Sequence, residues 1–145
     1  MPRKSRQEKY PDTQYFRYYN ANSHNHKTGD CVVRALCTAC GITWEQCATE
    51  LFQIGIKKGY TMLEDKVIEA FLVNNGFVQC KEPRNLDNTK MSVKRWLDLN
   101  STLVRHKIVA NVGSYHVVAI IDGKVNDIWD CTNKTMHKYW VKYGK

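Results

Sequence analysis

The stretch His116-Val-Val-Ala-Ile-Ile-Asp-Gly-Lys-Val-Asn-Asp-Ile-Trp-Asp-Cys131 decides the fold, because it has the pattern of a β-hairpin. Branched apolar residues follow His116, Asp122-Gly123 is a strong signal for a two-residue turn, and residues 124–131 are predicted to return as the second strand. Residues 107–112 before the hairpin and 135–143 after it also have strand patterns. The end of the chain is therefore predicted to form an antiparallel sheet.

The residues that precede this sheet carry helical signals. An apolar stretch from about 31 to 40 is predicted to be a helix that Thr28 or Asp30 caps and a glycine ends. Two capping-box patterns, Thr43-Trp-Glu-Gln46 and Thr61-Met-Leu-Glu64, predict that further helices begin after their threonines.

The third of these helices is predicted to stop at Asn75-Gly76, and a short strand at 77–80 and a fourth helix at 91–99 follow it. Helices therefore come first along the chain, and the sheet comes last. This order predicts an α+β domain in which N-terminal helices pack on a C-terminal antiparallel sheet.

Length and composition indicate one domain. The chain has 145 residues, of which 43% are hydrophobic and 25% are charged, a globular balance. No apolar run approaches the roughly 20 residues of a membrane span, and no apolar segment follows the basic N-terminus as in a signal peptide. We expect a cytoplasmic protein with no membrane partner, in which residues 1–22 form a partly ordered basic arm and residues 23–145 form the domain.

Six cysteines and a net charge of +8 suggest two other kinds of site. Reduced thiols are expected in the cytosol, and the Cys37-x-x-Cys40 pair lacks a second pair at metal-ligand spacing, so we expect no metal and no other cofactor. Lysines and aromatic residues alternate in the segment 134–145, which suits nucleic-acid stacking but equally suits a final edge strand with lysines outward. We favour the edge strand, so nucleic acid is the less favoured partner.

The chemistry of the chain centres on Cys31 and His116. Cys31 opens the first long helix, where the helix dipole favours a thiolate, and His116 opens a strand from which an imidazole can activate that thiolate. Each residue alone has a structural explanation, as a buried thiol or a core histidine. Together they predict a nucleophile with its base.

These motifs carry a resemblance to a known superfamily. Gly29-Asp-Cys-Val-Val-Arg-Ala-Leu36 resembles the cysteine motif of small uncharacterised phage and mobile-element proteins in the papain-like and transglutaminase-like superfamily. The stretch from His116 to Thr132 resembles their histidine-to-aspartate hairpin. The resemblance implies a papain-like fold and a cysteine peptidase that acts in the host cytosol if it is phage-encoded.

The resemblance also implies roles for individual residues. Cys31 would be the nucleophile, His116 the base, and Asp130 the acid that orients the imidazole, with Asp127 as the alternative acid. Papain-like enzymes place an amide side chain upstream of the cysteine to bind the oxyanion, which here suggests Asn25. Papain itself uses glutamine, so an oxyanion hole formed by the backbone or by His26 stays open.

The predicted reaction is acyl transfer on a protein or peptide substrate. A Cys–His–Asp triad hydrolyses a peptide or isopeptide bond, and the same residues also perform deamidation and transamidation. The alternative is a catalytically silent papain-like module, such as a phage-borne inhibitor or a nucleic-acid-binding protein that uses its basic surface. A zinc-binding module is a third hypothesis. The sequence does not indicate an oligomeric state.

Overall fold

A computed structural model describes residues 3–100, 102–103 and 105–144 of the chain. Within these ranges it contains five α-helices and a six-stranded sheet, which confirms the predicted α+β class. The helices are α1 (Arg6–Lys9), α2 (Cys31–Cys40), α3 (Trp44–Lys58), α4 (Asp65–Asn74) and α5 (Val93–Leu99). The strands are β1 (Phe16–Tyr18), β2 (Val78–Cys80), β3 (Lys107–Val112), β4 (His116–Ile121), β5 (Lys124–Asp127) and β6 (Met136–Lys142).

The strands lie in the order β1-β5-β4-β3-β6-β2. Four of the neighbouring pairs are antiparallel, but β1 pairs with β5 in parallel, so the sheet is mixed and the fully antiparallel prediction is wrong. The prediction that the last strand is an edge strand is also wrong, because β6 lies between β3 and β2. Both errors arise from the short strands at the two edges of the sheet. β1 adds a parallel pair beside β5, and β2 covers the edge of β6.

The hairpin itself agrees with the sequence. Asp122 and Gly123 both have positive φ angles, 51° and 78°, which is the backbone geometry of a two-residue turn that matches strand twist. Ile121 pairs with Lys124 directly beside the turn. The returning strand is shorter than predicted, because it ends at Asp127.

Side chains on the two faces of the sheet belong to two separate cores. Leu36, Leu51 and Phe71 from α2, α3 and α4 pack with Val109 and Ala119 on one face. On the other face, Trp96 and neighbouring residues of α5 pack with even-numbered residues of β3 and β4. The sheet is therefore covered by three helices on one side and by one on the other.

The helices begin where local capping places them. The box at Thr43 forms as predicted, since the Thr43 hydroxyl accepts from the Gln46 amide and the Gln46 side chain accepts from the Thr43 amide. The box at Thr61 does not form: the Thr61 hydroxyl contacts the Glu64 carboxylate, residues 62–64 turn, and α4 begins at Asp65. The fourth predicted helix begins two residues late, at Val93, because Ser92 caps it.

The segment 1–22, which the sequence analysis treats as an arm, contributes to this sheet. Phe16 of β1 is fully buried, and Arg17 and Tyr18 pair with the last residues of β5. β1 therefore places the N-terminal segment beside the strand that ends at Asp127. No helix within the described ranges is long and apolar enough to span a lipid bilayer.

Candidate active site

Cys31 is the first residue of α2 and is half-buried. The preceding residue, Asp30, occupies the N-cap position, but its side chain does not cap the helix. Its carboxylate instead accepts hydrogen bonds from Asn22, Arg34 and Trp44 at 2.8–3.0 Å. Because Cys31 is the first residue of α2, its amide and the positive end of the helix dipole lie beside its thiol.

His116 and Asp127 form the second part of the site. His116 Nε2 lies 2.5 Å from Asp127 Oδ2, and both side chains are largely buried. In the register of β4 and β5, Ala119 faces Asn126, so Asp127 at the end of β5 lies on the same face of the sheet as His116. The strand pairing therefore brings this carboxylate to the imidazole.

Asp130, the acid favoured by the sequence analysis, does not take this position. Its Oδ1 accepts hydrogen bonds from the backbone and the hydroxyl of Thr132, at 2.9 and 2.6 Å. It stabilises the turn after β5, because a carboxylate can satisfy the amide two residues on. Asp127, the alternative acid, is the one that contacts His116.

The pKa values of Cys31 and His116 shift in opposite directions. Burial raises the pKa of the Cys31 thiol, but hydrogen bonds with His116 and the Val117 backbone, and the charges of His116 and Arg34, lower it below its ordinary value. Burial lowers the pKa of His116, but Asp127 and Cys31 outweigh it and raise that pKa to about 9. Both shifts favour a thiolate–imidazolium pair at neutral pH.

Arg34 completes a charge network that the sequence analysis did not identify. Its Nε lies 2.8 Å from Asp30 Oδ1, and its Nη1 lies 2.5 Å from Asp127 Oδ1. Asp127 therefore bridges Arg34 and His116 with its two oxygens. The sequence does contain a signal for this network: Arg34 interrupts an apolar helix, one turn after Asp30 and three residues after Cys31.

The thiol and the imidazole line the same surface depression, which we call the Cys31 cleft. It has a volume of about 210 Å³. Its lining residues are Arg6, Lys27, Thr28, Gly29, Cys31, Arg34, His116, Ile128 and Trp129. Trp129 packs against His116 with ring centroids 4.7 Å apart, which restricts the orientation of the imidazole.

Asn25 does not lie in this cleft. It is exposed, has a positive φ of 56°, and its Oδ1 accepts a hydrogen bond from Asn20. His26 is also exposed, and its ring stacks on His24. The structure therefore brings neither predicted oxyanion donor to Cys31, and the Cys31 amide is the donor that the helix supplies.

A third side chain, Cys131, lies beside the histidine and its acid. Among the described residues, His116, Asp127 and Cys131 form the one group whose potential metal-ligating atoms lie within 4.8 Å of one another. Cys131 is fully buried, and burial raises the pKa of its thiol strongly. Nε2 of His116 already contacts Asp127. The group is therefore better described as a hydrogen-bonded histidine and carboxylate next to a buried thiol than as a set of metal ligands.

The remaining cysteines of α2 and α3 differ from Cys31. Cys37 and Cys47 are buried, Cys40 is half-buried, and burial raises the pKa of Cys37 and Cys40 to about 11. Burial also raises the pKa of Cys47. Cys31 is thus the thiol on these helices whose surroundings favour ionisation.

Comparisons of the chain with protein-family models, with curated proteins and with solved structures find no match. The geometry of Cys31, His116 and Asp127 is therefore the basis on which a function is proposed.

Proposed function

We propose that this protein is a thiol-dependent acyl-transfer enzyme, a cysteine peptidase or amidase that cleaves a peptide or isopeptide bond. Cys31 is the nucleophile, His116 is the base and acid, and Asp127 orients the imidazole and stabilises its charge. The observation that carries this proposal is that a thiol at the start of a helix and an imidazole held by a buried carboxylate line one cleft. The opposite shifts of their pKa values support it.

The first half of the reaction forms a thioester. The Cys31 thiolate attacks the carbonyl carbon, and the Cys31 amide at the start of α2 donates to the oxyanion that develops. The carbon–nitrogen bond then breaks, and the leaving amine takes the proton of the His116 imidazolium. Asp127 stabilises the imidazolium before this transfer, through the 2.5 Å contact with Nε2.

The second half regenerates the enzyme. Neutral His116 removes a proton from a water molecule, which adds to the thioester carbonyl, and the carbon–sulfur bond breaks. The acid product leaves, and Cys31 and His116 return to a thiolate and an imidazolium. An amine in place of the water would give transamidation through the same residues.

A papain-like architecture belongs to this proposal. A nucleophile at the start of a helix, a base at the head of a strand and an acid on the next strand support it. A cytosolic location also belongs to this proposal, because a reducing compartment keeps the thiol of Cys31 free of disulfides and oxidation.

Acylation by p-nitrophenyl acetate tests the proposal without knowledge of the natural substrate. We expect rapid release of nitrophenolate, and mass spectrometry of the trapped intermediate should locate one acetyl group on Cys31. Cys31→Ala should abolish the rapid phase, and His116→Gln should slow it by about 100-fold or more at neutral pH. Cys40→Ala is the matched control, because it removes another half-buried thiol, and it should leave the phase unchanged.

Acetylation of Cys31 no faster than that of Cys40, or a rate that His116→Gln does not change, would contradict the proposal. Incubation with a mixed peptide library then tests for hydrolysis, because new termini should appear with the wild type and not with Cys31→Ala. The silent binding module predicts the opposite result in both assays: no acyl-enzyme and no difference between the two proteins.

A further inference from the structure

Three cationic side chains line the Cys31 cleft: Arg34, which is paired with Asp30 and Asp127, and two others on separate segments. Arg6 belongs to α1, near the start of the chain, and its Nε donates a hydrogen bond of 2.8 Å to the carbonyl of Ile128. Lys27 lies in the loop before α2 and is exposed. Both side chains line the cleft together with Cys31 and His116. The N-terminal segment thus contributes a charge next to the nucleophile.

Arg6 is held at a fixed place relative to the charge network. Ile128, whose carbonyl it binds, donates its own amide to Oδ1 of Asp127 at 2.7 Å. One residue therefore connects the guanidinium of Arg6 to the acid of the site. This contact makes Arg6 part of the cleft wall, unlike a freely rotating surface arginine.

The carboxylates near the cleft are already committed to other partners. Asp30 and Asp127 both face the buried Arg34, and Asp127 also faces His116. Among the described residues, no carboxylate lines the cleft and none forms a salt bridge with Arg6 or Lys27. Arg6 and Lys27 therefore add positive charge to the lining of the cleft without a carboxylate partner in the part of the chain that the structure describes.

The cationic lining is specific to this cleft. A second groove of about 720 Å³ touches the other side of His116, and its lining includes Asp65 and Glu82 as well as His137 and Lys138. Charges of both signs meet there, so the cationic character of the Cys31 cleft is not simply the +8 charge of the whole chain.

We propose that Arg6 and Lys27 select substrates that carry an acidic group beside the amide or isopeptide bond that is cleaved, such as a glutamate, an aspartate or a terminal carboxylate. This inference rests on the proposed function, since it concerns the substrate of the Cys31 nucleophile. A carboxylate in the cleft gains two cationic neighbours, and an uncharged amide does not.

A pair of alkylating reagents tests the inference. Iodoacetate and iodoacetamide form the same carbon–sulfur bond with Cys31, and they differ in a carboxylate that mimics the acidic group. The ratio of their rate constants at Cys31, iodoacetate over iodoacetamide, should fall about three- to tenfold in the double variant Arg6→Gln, Lys27→Gln. The ratio in the wild type should also fall as salt is added.

Two further variants serve as controls. Lys57→Gln, Lys58→Gln removes the same charge at the end of α3, where both lysines are exposed, and should leave the ratio within about 1.5-fold of the wild type. Arg6→Lys keeps the charge in the cleft and should retain most of the preference.

The outcomes separate this inference from the proposed function. If Cys31 reacts rapidly with iodoacetamide but the double variant keeps the wild-type ratio, the acidic-substrate inference is wrong and the nucleophile stands. If Cys31 reacts with neither reagent faster than Cys40 does, both proposals are wrong. A fall in the ratio that is equal in the α3 control variant would also overturn the inference, because it would reflect net charge alone.

Discussion

Asp127 contacts His116 through Nε2 of the ring, at 2.5 Å from its Oδ2. His116 also lines the cleft that contains Cys31. The other oxygen of Asp127 contacts Arg34 and the amide of Ile128. Three groups thus hold the carboxylate of Asp127 in place, and this carboxylate in turn restricts the imidazole of His116.

Asp127→Asn should therefore reduce the rate of Cys31 acylation by about 100-fold or more, because an amide neither stabilises the imidazolium nor fixes its tautomer. Asp130→Asn is the matched control. Its amide oxygen can still accept from Thr132, and its acylation rate should stay within about twofold of the wild type. The burst of nitrophenolate from p-nitrophenyl acetate measures the acylation rate of both variants. A larger loss of rate in Asp130→Asn than in Asp127→Asn would indicate that Asp130 is the acid.

Asn25→Gly should leave the burst rate within about twofold of the wild type. Glycine tolerates the positive φ of this position, so the substitution removes the amide side chain without straining the loop. The side chain contacts Asn20 on the surface rather than the cleft. A loss of 10-fold or more would instead indicate that the loop moves when substrate binds and that Asn25 then stabilises the oxyanion.

The difference between Asp127 and Asp130 was available from the sequence. A two-residue turn at Asp122-Gly123 predicts that residue 129 is opposite His116, and side chains on one face of a strand recur every second residue. Position 127 therefore shares the face of His116, and position 130 does not. The same alternation excludes Asn126, so strand register was a better guide to the carboxylate that contacts His116 than the similarity of the motif.

Local patterns predicted the elements that local interactions control. The helix at Cys31–Cys40, the capping box at Thr43 and the hairpin at Asp122-Gly123 each depend on residues within one turn of each other. The parallel pairing of β1 with β5 joins residues more than 100 positions apart, and three residues of β1 carry no recognisable period. Contacts of this kind depend on tertiary packing, which is why β1, the mixed sheet and the contact of Arg6 with Ile128 could not be predicted.

Arg34→Ala should destabilise the fold by about 3–5 kcal/mol, because it leaves Asp30 and Asp127 buried without their shared cation. Urea unfolding followed by tryptophan fluorescence measures the free energy of unfolding. Lys138→Ala is the control, since it breaks an ion pair with Glu69 in which both side chains are about 40% exposed. That variant should lose less than about 1 kcal/mol, and an equal loss in the two variants would contradict the role of Arg34.

Phe16→Ala tests whether β1 belongs to the folded domain. Phe16 is fully buried in the core that contains α5, so its truncation should reduce the free energy of unfolding by about 3–5 kcal/mol. Phe52 on α3 is 56% exposed, and Phe52→Ala should cost less than about 1.5 kcal/mol. If the two variants were equally stable, the N-terminal segment would be a dispensable arm, as the composition alone suggests.

The stability of the protein should depend on pH through His116. Its pKa in the folded protein is about 9, raised by Asp127 and Cys31 against the effect of burial, whereas an unfolded histidine titrates near 6.5. The folded state therefore favours the imidazolium, and this stabilisation is complete below about pH 6.5 and is lost as the pH rises through about 9. The difference in free energy of unfolding between the wild type and His116→Gln should accordingly shrink by about 2–3 kcal/mol between pH 6 and pH 10. Urea unfolding of both proteins across this pH range measures the difference. If the difference stays constant, His116 is neutral in the folded protein. No imidazolium would then be available to protonate the leaving amine.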